Sequence, residues 1–225
     1  MRRLIVLVVL MAAVFSGCSD DKDVSDLIVT GNVYKHTGGG VVVAVRDAIF
    51  PVSGLDIRVN GQALEELSEK GSYLITGNTL PIEPGVDYNL EFTYGGHLVT
   101  STTTLPDESL EIILPQEDDE HAAGTDLEAI WSRSDDSAAY VLFVEEILPE
   151  MTTSRHLSSV IADTTYIIPA SVFDHDGYFA IHIFAVHDGI IRSGNVFYGI
   201  NNNVEPDVNG FFGAYIEKAV RINVQ

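Results

Sequence analysis

Alternation of apolar and polar residues constrains the fold of this chain more than any other sequence feature. The longest alternating run places Phe179, Ile181, Ile183 and Ala185 at every second position. Successive side chains of a β-strand point to opposite faces, so a period of two predicts a strand with one buried face. The sequence therefore predicts an all-β protein.

Further strands are predicted where β-branched and aromatic residues recur between turn residues. They cover residues 28–36, 41–45, 55–59, 88–94, 97–104, 127–131, 140–144 and 164–168. Asn60-Gly61 predicts a type I′ hairpin turn, because both residues tolerate a positive φ. Only residues 63–70 predict a short helix, with Gly71 as its C-terminal cap. Residues 116–125 predict a polar loop.

The chain has 225 residues, of which 46% are hydrophobic and 20% charged, as expected of a folded protein. Leu105-Pro106-Asp107 is the predicted boundary between two β-sandwich domains, at residues 28–106 and 107–225. We therefore expect two tandem β-sandwich domains.

The second predicted domain resembles a fibronectin type III domain. Trp131, Tyr140 and the run from Phe179 to Ala185 occur in the order of that family's landmarks, and Gly189 follows in a turn. Phe179 departs from the family, since it lacks the hydroxyl of the usual tyrosine corner. The first domain resembles an immunoglobulin-like or transthyretin-like sandwich. These resemblances imply a fold and no activity.

The amino terminus has the pattern of a cleaved signal peptide. Met1-Arg2-Arg3 precedes twelve apolar residues, Leu4 to Phe15, a run shorter than the roughly 20 residues that span a bilayer. Phe15-Ser16-Gly17-Cys18 resembles the lipobox of bacterial lipoproteins, although Phe15 stands where that family usually has Leu. The resemblance implies removal of residues 1–17 and acylation of Cys18, the only cysteine. An ordinary secretory signal with a chance cysteine is the alternative.

Residues 18–27 predict a flexible, lipidated tether. Ser19 and the acidic residues 20–23 resemble the surface-export signal of Bacteroidota lipoproteins, which implies an outer-membrane protein on the cell surface. A periplasm-facing lipoprotein is the alternative. Loss of Arg2 and Arg3 changes the net charge from −21 to −23. Such a chain repels nucleic acid and anionic lipid, so acylated Cys18 is the predicted membrane contact.

No catalytic residue, metal ligand or cofactor is predicted, and we expect a protein that is not an enzyme. The sequence has neither a Gly-x-Ser-x-Gly elbow nor a His-Glu-x-x-His motif, and one cysteine forms no intrachain disulfide. The densest metal-like cluster is Asp174-His175-Asp176 with His182, His187 and Asp188. His182 and His187 differ by an odd number of positions along a strand, so they would point to opposite faces. We interpret Asp174 and Asp176 as turn residues, because Asp and Gly are favoured in turns for backbone geometry alone.

Aromatic side chains indicate where this chain would bind a partner. Residues 194–213 predict a loop, in which Tyr198, Phe211 and Phe212 would form the binding surface. The second face of the long alternating run carries Tyr178, His182, Phe184 and Val186. We expect this face to pack within the chain, with a partner surface as the alternative.

These predictions describe a non-catalytic binding or assembly lipoprotein at the outer membrane. Paired sandwiches behind a lipobox resemble Bacteroidota surface lipoproteins that accompany TonB-dependent receptors, which implies an envelope protein partner and a role accessory to uptake. The alternatives are a small envelope hydrolase with a site between the domains, and a structural adhesion subunit.

Overall fold

The computed structural model describes residues 23–35, 39–68, 71–192, 195–199 and 202–225. Within these ranges the chain forms strands and turns, with two single-turn 3-10 helices and no α-helix. None of the described residues forms a helix long and apolar enough to cross a membrane. The prediction of an all-β protein is confirmed.

The strands in the described ranges carry the following labels in chain order. They are β1 (Leu27–Lys35), β2 (Gly40–Asp47), β3 (Phe50–Pro51), β4 (Arg58–Val59), β5 (Gln62–Ala63), β6 (Glu65–Glu66), β7 (Ser72–Thr76), β8 (Asp87–Tyr94), β9 (His97–Thr104), β10 (Ile112–Leu114), β11 (Asp119–His121), β12 (Leu127–Trp131), β13 (Ala139–Ile147), β14 (Thr152–Leu157), β15 (Thr165–Ile168), β16 (Gly177–His187), β17 (Gly189–Arg192), β18 (Asn195–Gly199) and β19 (Asn209–Val224). The 3-10 helices are Val24–Asp26 and Ala170–Val172.

One large sheet runs through both halves of the chain, in the order β14-β13-β16-β19-β1-β2-β7-β6. The strand β19 forms its centre: residues 209–216 pair parallel with β1, and residues 214–224 pair antiparallel with β16. Sixteen residues at about 3.3 Å each give β19 a length of about 50 Å. Strands of the first half of the chain therefore lie near the start of β19, and β13 and β16 lie near its end.

Two smaller sheets complete the sandwich. The sheet β5-β4-β8-β9 approaches β2, where Tyr94 hydrogen-bonds to Asp47. The sheet β10-β12-β15 approaches β13, where the rings of Trp131 and Tyr140 meet edge to face at 5.6 Å. The predicted boundary after Pro106 falls between these two sheets, while the large sheet continues past it. The division into two domains stays a prediction.

The predicted buried face of β16 is confirmed. Phe179, Ile181, Ile183 and Ala185 are fully buried in a core that includes residues from both halves of the chain. Each buried aliphatic or aromatic side chain contributes about 1.5–3 kcal/mol through removal of apolar surface from water.

The opposite face of β16 packs largely within the chain, as expected. Phe184 and Val186 are buried together with Ile190 of the β17–β18 hairpin. Buried Asn32 of β1 fixes this hairpin, since its Nδ2 donates to the Gly189 carbonyl at 2.8 Å. Tyr178, at the far end of the same face, remains 53% exposed.

The predicted helix at residues 63–70 is wrong for residues 63–68, and residues 69–70 lie outside those that the structure describes. Asn60 and Gly61 adopt φ values of 49° and 76°, which confirms the predicted hairpin turn. That turn pairs β5 with β4, and the chain continues into β6, which pairs with β7. Strand pairing thus overrides the helical spacing of Ala63, Leu64 and Leu67.

The polar segment 116–125 is also more ordered than a loop. Its residues Asp119–His121 form β11, which pairs parallel with residues 222–224 of β19. Arg221 holds the neighbouring segment, because its Nε donates to the Asp118 carboxylate at 3.0 Å. Some acidic residues of this segment therefore contact β19 and stabilise its end.

Close contact between β1 and β19 predicts the effect of a substitution at Gly210. This residue has a φ of +125°, and an added Cβ would lie 1.8 Å from the Val29 carbonyl oxygen. We expect Gly210→Ala to lower the free energy of unfolding by about 3 kcal/mol or more, measured by urea denaturation.

Gly85→Ala is the matched control. Gly85 also has a positive φ, of +67°, but an added Cβ has no heavy atom within 4 Å. We expect a loss of only about 1–2 kcal/mol from the unfavourable backbone conformation. Equal losses in the two variants would contradict the packing of β1 against β19.

Candidate functional site

The predicted site residues lie in three different settings. Cys18 lies outside the described residues, as do the predicted signal peptide and the first part of the tether. Tyr198 belongs to β18, whose side chains are not among those described. Phe211 and Phe212 lie in β19 and are 3% and 0% exposed.

The prediction of a loop over residues 194–213 is therefore wrong for residues 195–199, which form β18, and for residues 209–213. Residues 209–213 form the start of β19, and Phe212 belongs to the main core. Asn-rich sequence before this strand predicts a loop locally, but β1 supplies a distant partner that the local pattern does not reveal. The two phenylalanines are interior residues that stabilise the sheet.

The histidines of the suspected metal cluster occupy separate places along β16. His175 precedes the strand and lies between two carboxylates, with Nδ1 2.6 Å from Asp174 Oδ1 and Nε2 2.9 Å from Glu146 Oε1. Hydrogen bonding to Glu146, and then to Asp174, raises the pKa of His175. Arg155 also contacts both carboxylates, so the group is a network of opposite charges.

His182 lies in the middle of β16, on the face opposite the main core. Its Nδ1 is 2.6 Å from Glu217 Oε1 on β19, and its Nε2 is 3.6 Å from Glu145 Oε2 on β13. Nε2 is buried and has no hydrogen-bond partner among the residues that the structure describes. The imidazole thus connects three adjacent strands of the large sheet.

His187 ends β16 and faces the first half of the chain. Its Nδ1 is 2.7 Å from Asp188 Oδ2, which also accepts a hydrogen bond of 3.1 Å from Thr103 Oγ1 of β9. The hydrogen bond with Asp188 raises the pKa of His187. This group connects the large sheet to the covering sheet that contains β9.

The three groups stabilise strand contacts, and their geometry differs from that of a catalytic triad. In a triad, one imidazole nitrogen is hydrogen-bonded to a carboxylate and the other to the nucleophilic hydroxyl. Thr103 and Asp188 instead both approach Nδ1 of His187. Among the described residues, no set of three His, Cys, Asp or Glu side chains is arranged to hold a metal ion.

Two hairpins converge where the chain enters the fold, at a surface that we call the entry end. The Ala48 backbone N–H donates to the Asp26 carbonyl at 2.9 Å, and the Tyr94 hydroxyl donates to the Asp47 carboxylate. Burial, followed by this hydrogen bond, raises the pKa of Tyr94 to about 12. The entry end therefore joins the tips of β2–β3 and β8–β9 to the first described residues.

The entry end exposes large apolar side chains. Ile49 is 79% exposed, Phe50 is 70% exposed and Leu98 is 60% exposed. Ile49 and Phe50 are the most exposed large hydrophobic residues among those whose side chains the structure describes. None of the three residues is among the predicted site residues, although an apolar residue such as Ile49 in a hairpin turn is a detectable signal.

Comparisons with known proteins give structural neighbours only. No family model and no curated protein matches the chain. This chain is similar to solved fibronectin(III)-like modules of CbhA from Clostridium thermocellum, at 11% identity and with a TM-score of 0.31. The match covers 88% of this chain and 90% of the CbhA chain. A titin domain structure matches at 8% identity over 88% and 66% of the two chains, with a TM-score of 0.24.

A histidine with a raised pKa and one with a lowered pKa are predicted to change the stability of the fold with pH in opposite directions. The raised pKa of His187 means that its protonated form stabilises the fold below the unfolded pKa, and this contribution is lost as pH rises through the folded pKa. We expect His187→Gln to lower the melting temperature more at about pH 5.5 than at about pH 8.5.

His156→Gln is the control of opposite sign, because burial lowers the pKa of His156. The neutral form is favoured in the fold, so this stabilisation is lost as pH falls, and we expect the larger loss at about pH 8.5. Differential scanning calorimetry of both variants measures the difference. If the loss of melting temperature had the same pH dependence in both variants, it would contradict the stabilisation of the fold by protonated His187 paired with Asp188.

Proposed function

We propose that this chain is a lipid-anchored lipoprotein of the bacterial outer membrane, whose β-sandwich is a non-catalytic binding or assembly module. One observation carries the proposal: Asp23, the first described residue, follows Cys18 by five positions and lies at one end of an elongated sheet. An acyl anchor on Cys18 would hold the protein by that end.

The dimensions support this arrangement. Five residues extend to at most about 18 Å, whereas β19 runs for about 50 Å away from the entry end. Two or more acyl chains anchor a protein stably, at about 0.8 kcal/mol for each buried CH₂. A net charge of −23 after cleavage gives no electrostatic attraction to anionic lipid, so the acyl chains would supply the anchorage.

The end of the sheet remote from the tether is the natural place for a partner. The β13–β14 turn and the start of β16 lie there, and Met151 and Tyr178 are 62% and 53% exposed. Aromatic residues and Met are enriched at protein interfaces. The resemblance to lipoproteins that accompany TonB-dependent receptors supports an envelope transporter as that partner, with this chain as its accessory.

Replacement of Cys18 tests the anchor. We expect the wild-type chain, expressed in a bacterium that processes lipoproteins, to lose residues 1–17, incorporate a labelled fatty acid and sediment with the outer membrane. Cys18→Ser removes the thiol that accepts lipid, so label and sedimentation should both be lost. Ser19→Ala, a matched change one residue later, should keep both. Label retained by Cys18→Ser, or an unlabelled wild type, would contradict the proposal.

Crosslinking in intact cells tests the assembly role. We expect mass spectrometry to identify a transporter of the outer membrane crosslinked to the wild-type chain, and less of it with Met151→Ser and Tyr178→Ser combined. Ile113→Ser, at an exposed position on β10, is the control. Recovery of the uncrosslinked chain alone would argue against an assembly module. Digestion of the chain by protease added to intact cells would place it on the cell surface, and protection would indicate a periplasm-facing protein.

A further inference from the structure

We propose that Ile49, Phe50 and Leu98 of the entry end insert into the bilayer that holds acylated Cys18, as a second, apolar contact with the membrane. This inference rests on the proposed lipid anchor. It adds a surface of the folded protein to the acyl chains.

The three residues lie at one end of the molecule because the turns of two hairpins meet there. Asp47 pairs with Phe50 across the β2–β3 turn, and Tyr94 pairs with His97 across the β8–β9 turn. The hydrogen bond between Tyr94 and Asp47 joins these two turns. Ile49 and Phe50 at one turn and Leu98, which directly follows the other, therefore lie at the same end of the molecule.

The turn at Ala48-Ile49 gains nothing from apolar residues. Two-residue hairpin turns favour Asn, Asp and Gly, and Ala48 adopts the positive φ of 51° that these residues accommodate best. Ile49 and Phe50 leave more than two thirds of their surfaces in water. The exposure of two large apolar side chains at this hairpin is explained by an apolar environment outside the chain.

The first described residues place this surface beside the tether. Asp26 accepts a hydrogen bond from Ala48, the residue before Ile49. The pKa of Asp23 is lowered mainly by the hydrogen bond from the Ser25 N–H. An acylated Cys18 would keep Asp23 within about 18 Å of the lipid, so the apolar tips would face the bilayer at high effective concentration.

Charge at the entry end selects the kind of lipid. Asp23, Asp26 and Asp47 lie there, with Arg46 and His97 as the nearby basic side chains. Carboxylates repel anionic headgroups, so insertion should be strongest in zwitterionic lipid. Apolar transfer of three side chains then supplies the attraction.

Fluorescence of a single added tryptophan tests the contact. The lipidated full-length Phe50→Trp variant is reconstituted into phosphatidylcholine vesicles, with or without bromine on the acyl chains, and wild type supplies the Trp131 background. We expect a blue shift of the added emission and quenching of about twofold or more by brominated lipid, as for a side chain at the acyl boundary. Addition of anionic lipid should reduce the quenching.

Met151→Trp is the matched control, since Met151 is similarly exposed at the opposite end of the sheet. Its emission should be unaffected by brominated lipid. A second variant, Ile49→Ser with Leu98→Ser in the Phe50→Trp background, should lose most of the quenching if the three side chains act together. Equal quenching at positions 50 and 151, or none at position 50, would overturn the inference.

Intact-mass measurement separates the two proposals. An acylated Cys18 together with an unquenched reporter at position 50 would reject the bilayer contact and leave the anchor standing. Absence of acyl mass would reject the anchor itself. A blue shift seen in native envelope fragments but not in pure lipid vesicles would replace the bilayer with a protein partner and overturn the inference.

Discussion

The hydrogen bonding of β19 to two different strands is the interaction on which the rest of the structure depends. Its first half pairs with β1 and its second half with β16, so one continuous strand holds the early and late parts of the chain in a common sheet. The smaller sheets cover this sheet, and the core is continuous beneath them. A Cβ at Gly210 would meet backbone atoms of β1, and a Cβ at Gly213 would meet backbone atoms of β17. Both positions therefore require glycine.

Local pattern predicted those parts of the fold that local chemistry controls. The alternation in β8 and β16 and the positive φ at Asn60-Gly61 follow from side-chain spacing and backbone freedom alone. The failures have a common cause in distant pairing. Residues 63–70 have helical spacing, but Ala63 pairs with β4 and Glu65–Glu66 pair with β7. Residues 209–213 pair with β1, some 180 positions earlier in the chain.

For the site residues too, local spacing predicts which face of a strand a side chain occupies, but not which distant residues contact it. Strand spacing separates His182 from His187, but it does not supply Glu217 or Thr103, which reach these imidazoles from β19 and β9. Burial of Phe211 and Phe212 likewise follows from the pairing of β19. Ile49 could have been found from sequence, because an apolar residue in a two-residue turn conflicts with the usual polar chemistry of such turns.

The parallel pairing of β1 with β19 has a mechanical consequence. Tension applied through the tether would pull β1 along its own axis, while a load at the far end of the sheet would pull β16 and β19 the other way. The eight register pairs between β1 and β19, and those between β1 and β2, would then be loaded in shear and would have to break together. Hydrogen bonds arranged in this way resist force far better than a hairpin opened from its end, where bonds break one at a time. A sheet held at the start of β1 is thus built to transmit tension along its length.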